Sequence, residues 1–412
     1  MKPKILFDSK DHPEMNSGYG IISRYLLPLL GKHYGKDNII IYPPVYQRDH
    51  ISEWEGMLCV GGTEFSYGEN LIWDHYSHYG CNLLLMVGDA WPLGIVPDLA
   101  AENKVLWVQW LPVDWLGMPK NITNRIKYAH KLVPFSRYGE ASLRKHNFTN
   151  VDKAIWLGLN TELWKPKPRE SLPDFMNLLG YQLDSFNILI VGANQARKQI
   201  RPALEAIASF RKVNLQADVR LYMHTHMTGE RDFRADIDEL GLVDILCHQE
   251  PYLASQGGAS EQDMVGVFNC ADVVINCCLE GFGYAMLQAQ AVGVPVIGLS
   301  EGTGPELIKF GIEIPSVAVE TSPHQMSQPI PSIPAMVAAL DELYKKRMAL
   351  GAPLRNQKAV DFVRDNFSWG KIAKQWVGVI DKCMEDREKF CMQIPDPSEE
   401  LNSLSSKLKV IL

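Results

Sequence analysis

The sequence is poor in the features that mark secretion, metal storage or membrane insertion. Its eight cysteines are scattered, with Cys277 and Cys278 adjacent and no C-x-x-C pair. Thiols spaced in this way fit a reducing compartment and offer no zinc-ligand pattern. No run approaches the roughly 18 uninterrupted apolar residues that a membrane-spanning helix requires. The opening stretch Met1-Lys2-Pro3-Lys4-Ile5-Leu6-Phe7-Asp8 lacks the apolar region of a signal peptide. The sequons at Asn121, Asn147 and Asn366 are therefore read as chance, and the expected location is cytoplasmic. No repeat with a period of about 20–50 residues stands out. An excess of basic charge is also missing: the formal net charge is −7, which argues against a general nucleic-acid coat.

What is present is an ordinary globular composition, 46% hydrophobic and 22% charged over 412 residues, long enough for two domains with separate cores. Lys4-Ile5-Leu6-Phe7-Asp8 reads as a buried strand. A polar loop over 9–20 follows, then a helix with Ile21, Ile22, Tyr25, Leu26, Leu29 and Leu30 at helical spacing. Short apolar runs at 38–42, 83–87, 105–108 and 131–134 alternate with helical patterns. Around 166–184 the alternation dissolves into Lys165-Pro166-Lys167-Pro168-Arg169 and polar residues, the composition of a linker. It restarts with strands at 187–192, 219–224, 272–276 and 295–299 and helices at 201–212 and near 233–240. Alternating strands and helices imply parallel sheets covered on both faces, with ligands at the carboxyl ends of the strands. The Pro-, Ser- and Gln-rich stretch 317–334 reads as a surface excursion.

Two segments carry chemistry. In the first, a strand runs into Glu280-Gly281-Phe282-Gly283-Tyr284-Ala285-Met286-Leu287-Gln288, an acidic residue on a glycine-flanked turn with a helix directly behind it. Glycines allow backbone N–H groups to approach a ligand, and a helix N-terminus supplies unpaired donors and a positive dipole end. The arrangement suits a diphosphate, with a carboxylate nearby to orient a polyol. In the second, Gly192-Ala193-Asn194-Gln195-Ala196-Arg197-Lys198 also follows a strand. Its two cations suit a diphosphate leaving group, whose charge grows as the bond to it breaks.

Together these segments resemble the retaining GT-B glycosyltransferases of the glycosyl transferases group 1 family, in a diverged form. The resemblance covers about residues 4–381 and is strongest over 187–307. It implies an α/β GT-B fold, two Rossmann-like doubly wound parallel-sheet domains facing a cleft. The expected divisions are an acceptor domain at 1–165, a linker at 166–184, a donor domain at 185–366, a returning helix at 367–390 and a tail at 391–412. It further implies a metal-independent hexosyltransferase with no cofactor, using a nucleotide-diphosphate sugar as co-substrate. Glu280 would orient the donor sugar, and Lys198, Arg197 and the N–H groups of Gly281, Phe282 and Gly283 would hold the diphosphate. Gln288 stands where the family has a second glutamate on the ribose. Gly18-Tyr19-Gly20 resembles the glycine loop beneath the donor phosphates. Trp110-Leu111-Pro112-Val113-Asp114 resembles a Pro-x-Asp variant in which Asp114 accepts the acceptor hydroxyl's proton or orients a sugar, and a cap or turn aspartate fits equally well. Trp91, Trp107, Trp110 and Trp115 are read as core, with a sugar-stacking face as the alternative.

Three departures, Gln288, Ala193 where the resembled family has an arginine after the glycine, and Leu157 where it has a histidine before Gly158, keep a second class open, a catalytically idle sugar-nucleotide or glycan-binding paralogue. A GT-B-fold epimerase or phosphorylase is the third. The acceptor is left open among glycan, lipid, protein, small molecule and nucleic-acid base. Residues 120–153 hold eight Lys and Arg against Glu140 and Asp152, which fits a solvated helical face, peripheral contact with an anionic membrane, or an acidic acceptor. Asp236-Ile237-Asp238 reads as a solvated helix face rather than a metal motif, His224-Thr225-His226 lacks a third ligand, and Cys277-Cys278 reads as packing.

Overall fold

Seven strands build the sheet of the first unit: β1 (Ile5–Asp8), β2 (Ile39–Tyr42), β3 (Ile51–Trp54), β4 (Met57–Val60), β5 (Leu83–Val87), β6 (Trp107–Leu111) and β7 (Lys131–Pro134). The computed structural model describes residues 2–44, 51–62, 71–94, 96–102, 104–247, 259–321 and 326–393. The strand order is β3-β4-β2-β1-β5-β6-β7. Every pairing is parallel except β3 with β4. β1, β2, β5 and β6 are buried along their whole length, which is why they read as continuous apolar runs. The β3–β4 hairpin escaped the sequence reading because β3 is largely exposed. It turns on Glu55 and Gly56, both at positive φ, the backbone that two-residue hairpin turns require.

The helix Gly18–Tyr34 begins two residues earlier than the expected loop end at Gly20. Ser17 caps it, its Oγ accepting from Gly20 N at 3.0 Å. The long helix Trp369–Gln393 packs on it within the same unit. Trp369 stacks on Tyr25 at 5.8 Å, and Tyr34 Oη donates to Asp381 Oδ1 at 2.8 Å. Trp107, Trp110 and Trp115 are fully buried core, whereas Trp91 is 41% exposed.

The second unit comprises Asp114–Gly117 and Gly158–Ser368. Its sheet holds β8 (Phe186–Val191), β9 (Val219–His224), β10 (Val273–Asn276), β11 (Val296–Leu299) and β12 (Gly311–Ile314), followed by the separate hairpin β13 (Ser316–Thr321) and β14 (Ser327–Pro331). The five-stranded sheet is parallel throughout in the order β12-β11-β10-β8-β9. The chain moves outward from β8 to β9, then returns to the far side of β8 with β10. The strand order therefore reverses between β8 and β10, and ligands of such sheets bind at the carboxyl ends beside this reversal. The helix Ile200–Val213 covers one face with Ala203, Leu204, Ile207 and Phe210 buried.

The stretch 166–184 is not a linker; it is folded into the second unit. After a 3-10 turn (Arg169–Ser171) comes the helix Pro173–Leu178. Arg169 is 2% exposed, and its Nη2 donates to Asp272 Oδ1 at 2.8 Å and to Ala271 O at 3.2 Å. Asp272 also accepts from Asn187 N at 2.9 Å and faces Arg347 Nε at 3.7 Å. Removing such a buried carboxylate would leave several guanidinium groups without compensation. The Pro-rich stretch near 317–334 proves to be largely the β13–β14 hairpin, with β13 mostly exposed and β14 mostly buried.

Candidate active site

The loops that leave β8 and β10 meet at the sheet's reversal point. From β8 the chain passes Gly192 to a 3-10 turn, Ala196–Lys198, which closes when Lys198 N donates to Gln195 O at 2.9 Å. Gln199 then takes the left-handed conformation at φ 51 and starts the helix Ile200–Val213. From β10 the chain runs through Cys277, Cys278 and Leu279 to Glu280, whose carbonyl accepts from Thr303 Oγ1 at 3.3 Å. Gly283, at φ 97, caps the helix Tyr284–Ala291. A Cβ there would run into Met286 Cε and would adopt a backbone that side chains disfavour.

Lys198 Nζ donates to both Glu280 oxygens, at 2.6 Å to Oε1 and 2.8 Å to Oε2. Arg197 Nη1 lies 3.0 Å from Asp114 Oδ2 and 3.9 Å from Glu280 Oε2. Cys278 Sγ donates to Glu280 Oε1 at 3.3 Å, and Asn276 Nδ2 reaches the same oxygen at 3.5 Å. Burial by itself would raise the Glu280 carboxyl, but the charges of Lys198 and then Arg197 outweigh it and hold the group at about 2. Burial and the neighbouring Glu280 charge push the Cys278 thiol up, so it stays a neutral donor. Two cations and two carboxylates thus face one another in a nearly closed set, with Lys198 and Glu280 side chains 14% and 13% exposed.

The four expected catalytic residues, Glu280, Lys198, Arg197 and Asp114, lie in one connected cluster of the second unit. Asp114 is held there by the hairpin: Gln328 Nε2 donates to its carbonyl, and Leu116 N donates to Ser327 O at 2.8 Å. Of the expected donor-binding residues, Gly281 and Gly283 are buried in the turn. The Phe282 ring is core, 5.4 Å from Tyr284 and 6.2 Å from Phe367. Gln288 is 8% exposed, and its amide makes no hydrogen bond among the described residues. Gly18, Tyr19 and Gly20 belong to the first unit and form the first turn of a helix rather than a loop. A Cβ on Gly20 would run into the His12 and Met15 carbonyls, so close packing explains that glycine. Tyr19 Oη donates to Asp89 Oδ2 at 3.0 Å.

Two sequence expectations are corrected. Asp236 lies on a helix as expected, but it is buried rather than solvated, bonded to Arg201 Nη1 at 2.5 Å and to Arg231. Cys278 is more than packing, since it donates to Glu280. The cations of the basic stretch 120–153 are exposed or half-buried, as on a solvated face, with Arg144 pairing with Glu140 at 3.1 Å and donating to Val151 O at 2.8 Å. His224 is buried beside Tyr222, and burial with the His226 charge lowers it to about 4. Among the described residues no group of three His, Cys, Asp or Glu is placed to hold a metal ion. No described helix is long and apolar enough to cross a membrane.

Two parallel-sheet α/β units with a charged cluster at the switch point define the GT-B class, and solved structures agree. The fold matches sucrose-phosphate synthase from Thermosynechococcus elongatus with a TM-score of 0.73 at 16% identity, covering 93% of this chain and 100% of that one. It matches the Anabaena HepE structure in complex with UDP with a TM-score of 0.64 at 15% identity, covering 92% and 100%. Residues 185–333, which lie within the second unit, match the family described as Glycosyl transferases group 1. A D-inositol 3-phosphate glycosyltransferase of Paenarthrobacter aurescens (strain TC1) is 31% identical over 129 residues, 31% of this chain and 30% of the relative. A mannosyltransferase of Mycolicibacterium hassiacum, named as an MMP alpha-(1->4)-mannosyltransferase, is 24% identical over 55% of this chain and 47% of its own length. The chain spans between about a third and a half of the curated relatives it matches.

Proposed function

We propose that the chain transfers a hexosyl residue from a nucleoside-diphosphate sugar to an acceptor hydroxyl with retention of anomeric configuration. The observation that carries this reading is the Lys198–Glu280 pair at the switch point of the sheet within the matched segment 185–333. A diphosphate would bind against Lys198, Arg197 and the N–H groups at the start of the helix Tyr284–Ala291. Glu280, ionised across the physiological range, would accept hydrogen bonds from the donor sugar's hydroxyls. Gln288 would engage the ribose through its side-chain amide.

In the transfer the bond between the anomeric carbon and the phosphate oxygen breaks. The acceptor oxygen forms the new bond on the same face, and the acceptor's proton passes to the departing phosphate oxygen. Lys198 and Arg197 would neutralise the charge that develops on that oxygen, the role a metal ion plays in other transferases. The Anabaena relative solved with UDP supports a nucleoside diphosphate as the donor's leaving half. This reading sets the activity in the cytoplasm, with residues 120–153 facing anionic headgroups if the acceptor is carried on a lipid.

A screen of UDP-, ADP-, GDP- and dTDP-linked sugars tests the proposal, with binding followed by calorimetry and product anomers by NMR. Transfer or slow hydrolysis with retained configuration is expected for at least one donor. Absence of both binding and turnover across the screen sinks the proposal. Gln288, Ala193 and Leu157 favour one second reading, the idle paralogue, for which saturable binding without any product is the signature. Free epimerised sugar or a requirement for inorganic phosphate would mark the epimerase or phosphorylase.

A further inference from the structure

Arg197 and Lys198 ride on a segment with little regular structure of its own. Between the end of β8 and the helix Ile200–Val213 there is only the 3-10 turn Ala196–Lys198. A segment this short, turning through a left-handed Gln199, needs outside support to hold two cations against a carboxylate. That support comes from residue 194. Asn194 is 8% exposed. Its Nδ2 donates to His226 O at 2.9 Å and to Arg231 O at 2.8 Å, while its Oδ1 accepts from Arg231 N at 3.1 Å. Both amide hydrogens and the amide oxygen are therefore engaged by the loop that follows β9.

The loop after β9 is shaped to receive that amide. A Cβ built on Gly229 would come within 2.8 Å of Asn194 Cγ, with the Asn194 side chain as its three nearest neighbours. Gly229 does not have positive φ, so its reason for being glycine is the space that Asn194 fills. Two further ties run the same way. Ala196 N donates to Glu230 Oε2 at 2.8 Å. Arg201, at the start of the helix behind Lys198, shares the Asp236 carboxylate with Arg231.

We propose that Asn194 is a positioning residue that fixes the Arg197–Lys198 turn to the loop 226–231, with Gly229 as its required complement. Its chemistry admits no simple replacement. Aspartate keeps the shape but turns an oxygen toward the His226 and Arg231 carbonyls, and alanine removes all three bonds. The part of the inference that concerns ligand binding rests on the proposed donor site; the part that concerns loop order does not.

The test compares the wild-type chain with Asn194→Ala, Asn194→Asp and Gly229→Ala by amide hydrogen exchange and by calorimetry with UDP, ADP and GDP. Exchange over 193–199 should accelerate about tenfold in all three variants while the helix 200–213 keeps its protection. Affinity for whichever diphosphate the wild type binds should fall about tenfold, and the Asn194→Ala/Gly229→Ala double variant should be within about twofold of Asn194→Ala alone. In an Arg197→Ala/Lys198→Ala background the Asn194→Ala change should cost less than about twofold, because both cations it positions are gone; a general loss of structure would cost the same in both backgrounds. Unchanged exchange over 193–199, or additive losses in both cycles, overturns the inference. If the wild type binds none of the diphosphates, the proposed function fails, and the exchange measurement still decides the role of Asn194.

Discussion

Lys198 Nζ lies within hydrogen-bond distance of both Glu280 oxygens, at 2.6 and 2.8 Å, although the two residues are 82 positions apart in the chain. Each stands just beyond the carboxyl end of a strand, and β8 and β10 are neighbours in the sheet. The pair is therefore a product of topology, and it holds the charge of the site in balance before any ligand arrives.

Lys198→Ala and Glu280→Ala should each reduce glycosyl transfer at least about tenfold, roughly 1.4 kcal/mol of barrier. Steady-state rates with the donor found in the screen check this. Near-normal transfer by both variants would remove the pair from the proposed mechanism.

The Glu280 carboxyl is depressed from 4.5 to about 2 in the folded chain. The folded state thus binds this proton less readily than the unfolded state. Its contribution to stability, at most roughly 3 kcal/mol, is complete above about pH 4.5 and drains away as the pH falls through about 2. Urea unfolding of wild type and Glu280→Gln at pH 7, 4 and 3 should show a stability gap that narrows toward acid. A gap that stays constant down to pH 3 would contradict the assigned shift.

Gln288→Glu should tighten nucleoside-diphosphate binding by about fivefold, since a charged acceptor strengthens a hydrogen bond to ribose by about 1 kcal/mol over a neutral amide. Calorimetry decides it. Unchanged or weaker affinity would count against a ribose contact for this side chain.

Asp114 is the carboxylate closest to Arg197, at 3.0 Å. Asp114→Asn should release that cation, so diphosphate affinity should rise about threefold at low salt while transfer falls. Affinity and rate that both stay at the wild-type level would reduce Asp114 to a turn residue.

Asp272 answers to Arg169 and Arg347 from a fully buried position. Asp272→Asn should destabilise the second unit by about 3–5 kcal/mol, visible as a lowered denaturant midpoint. Arg169→Met should cost less, because Arg347 still faces the carboxylate. A neutral effect of Asp272→Asn would mean that the segment 166–184 is held by its other contacts, such as Lys167 N to Asn269 Oδ1 and Arg169 to Ala271 O, rather than by this ion pair.

The sequence showed the sheets well and the non-local polar contacts poorly. The runs at 83–87, 131–134 and 219–224 coincide with β5, β7 and β9, because strands buried on both faces must be continuously apolar. Lys198 and Glu280 were legible because the loops that follow β8 and β10 resemble the glycosyltransferase motifs. The role of Asn194 was not, since its partners lie in a loop 32 and 37 residues away. The same holds for Arg169, whose Lys-Pro-rich surroundings read as a linker while its partner Asp272 is 103 residues distant. Asp236 followed the helical period correctly, but the period carries no word of the arginines that bury it.

The second unit gathers Asp114–Gly117 from far upstream of its main body, Gly158–Ser368. A recombination event that exchanged only the continuous piece would inherit the donor-side cations and Glu280 but leave behind the carboxylate nearest Arg197 and the strand partner of Ser327. Chimeras meant to change donor preference should therefore carry residues 114–117 along with the transplanted module, or the hairpin strand at Ser327 will arrive without the segment it was selected to hold.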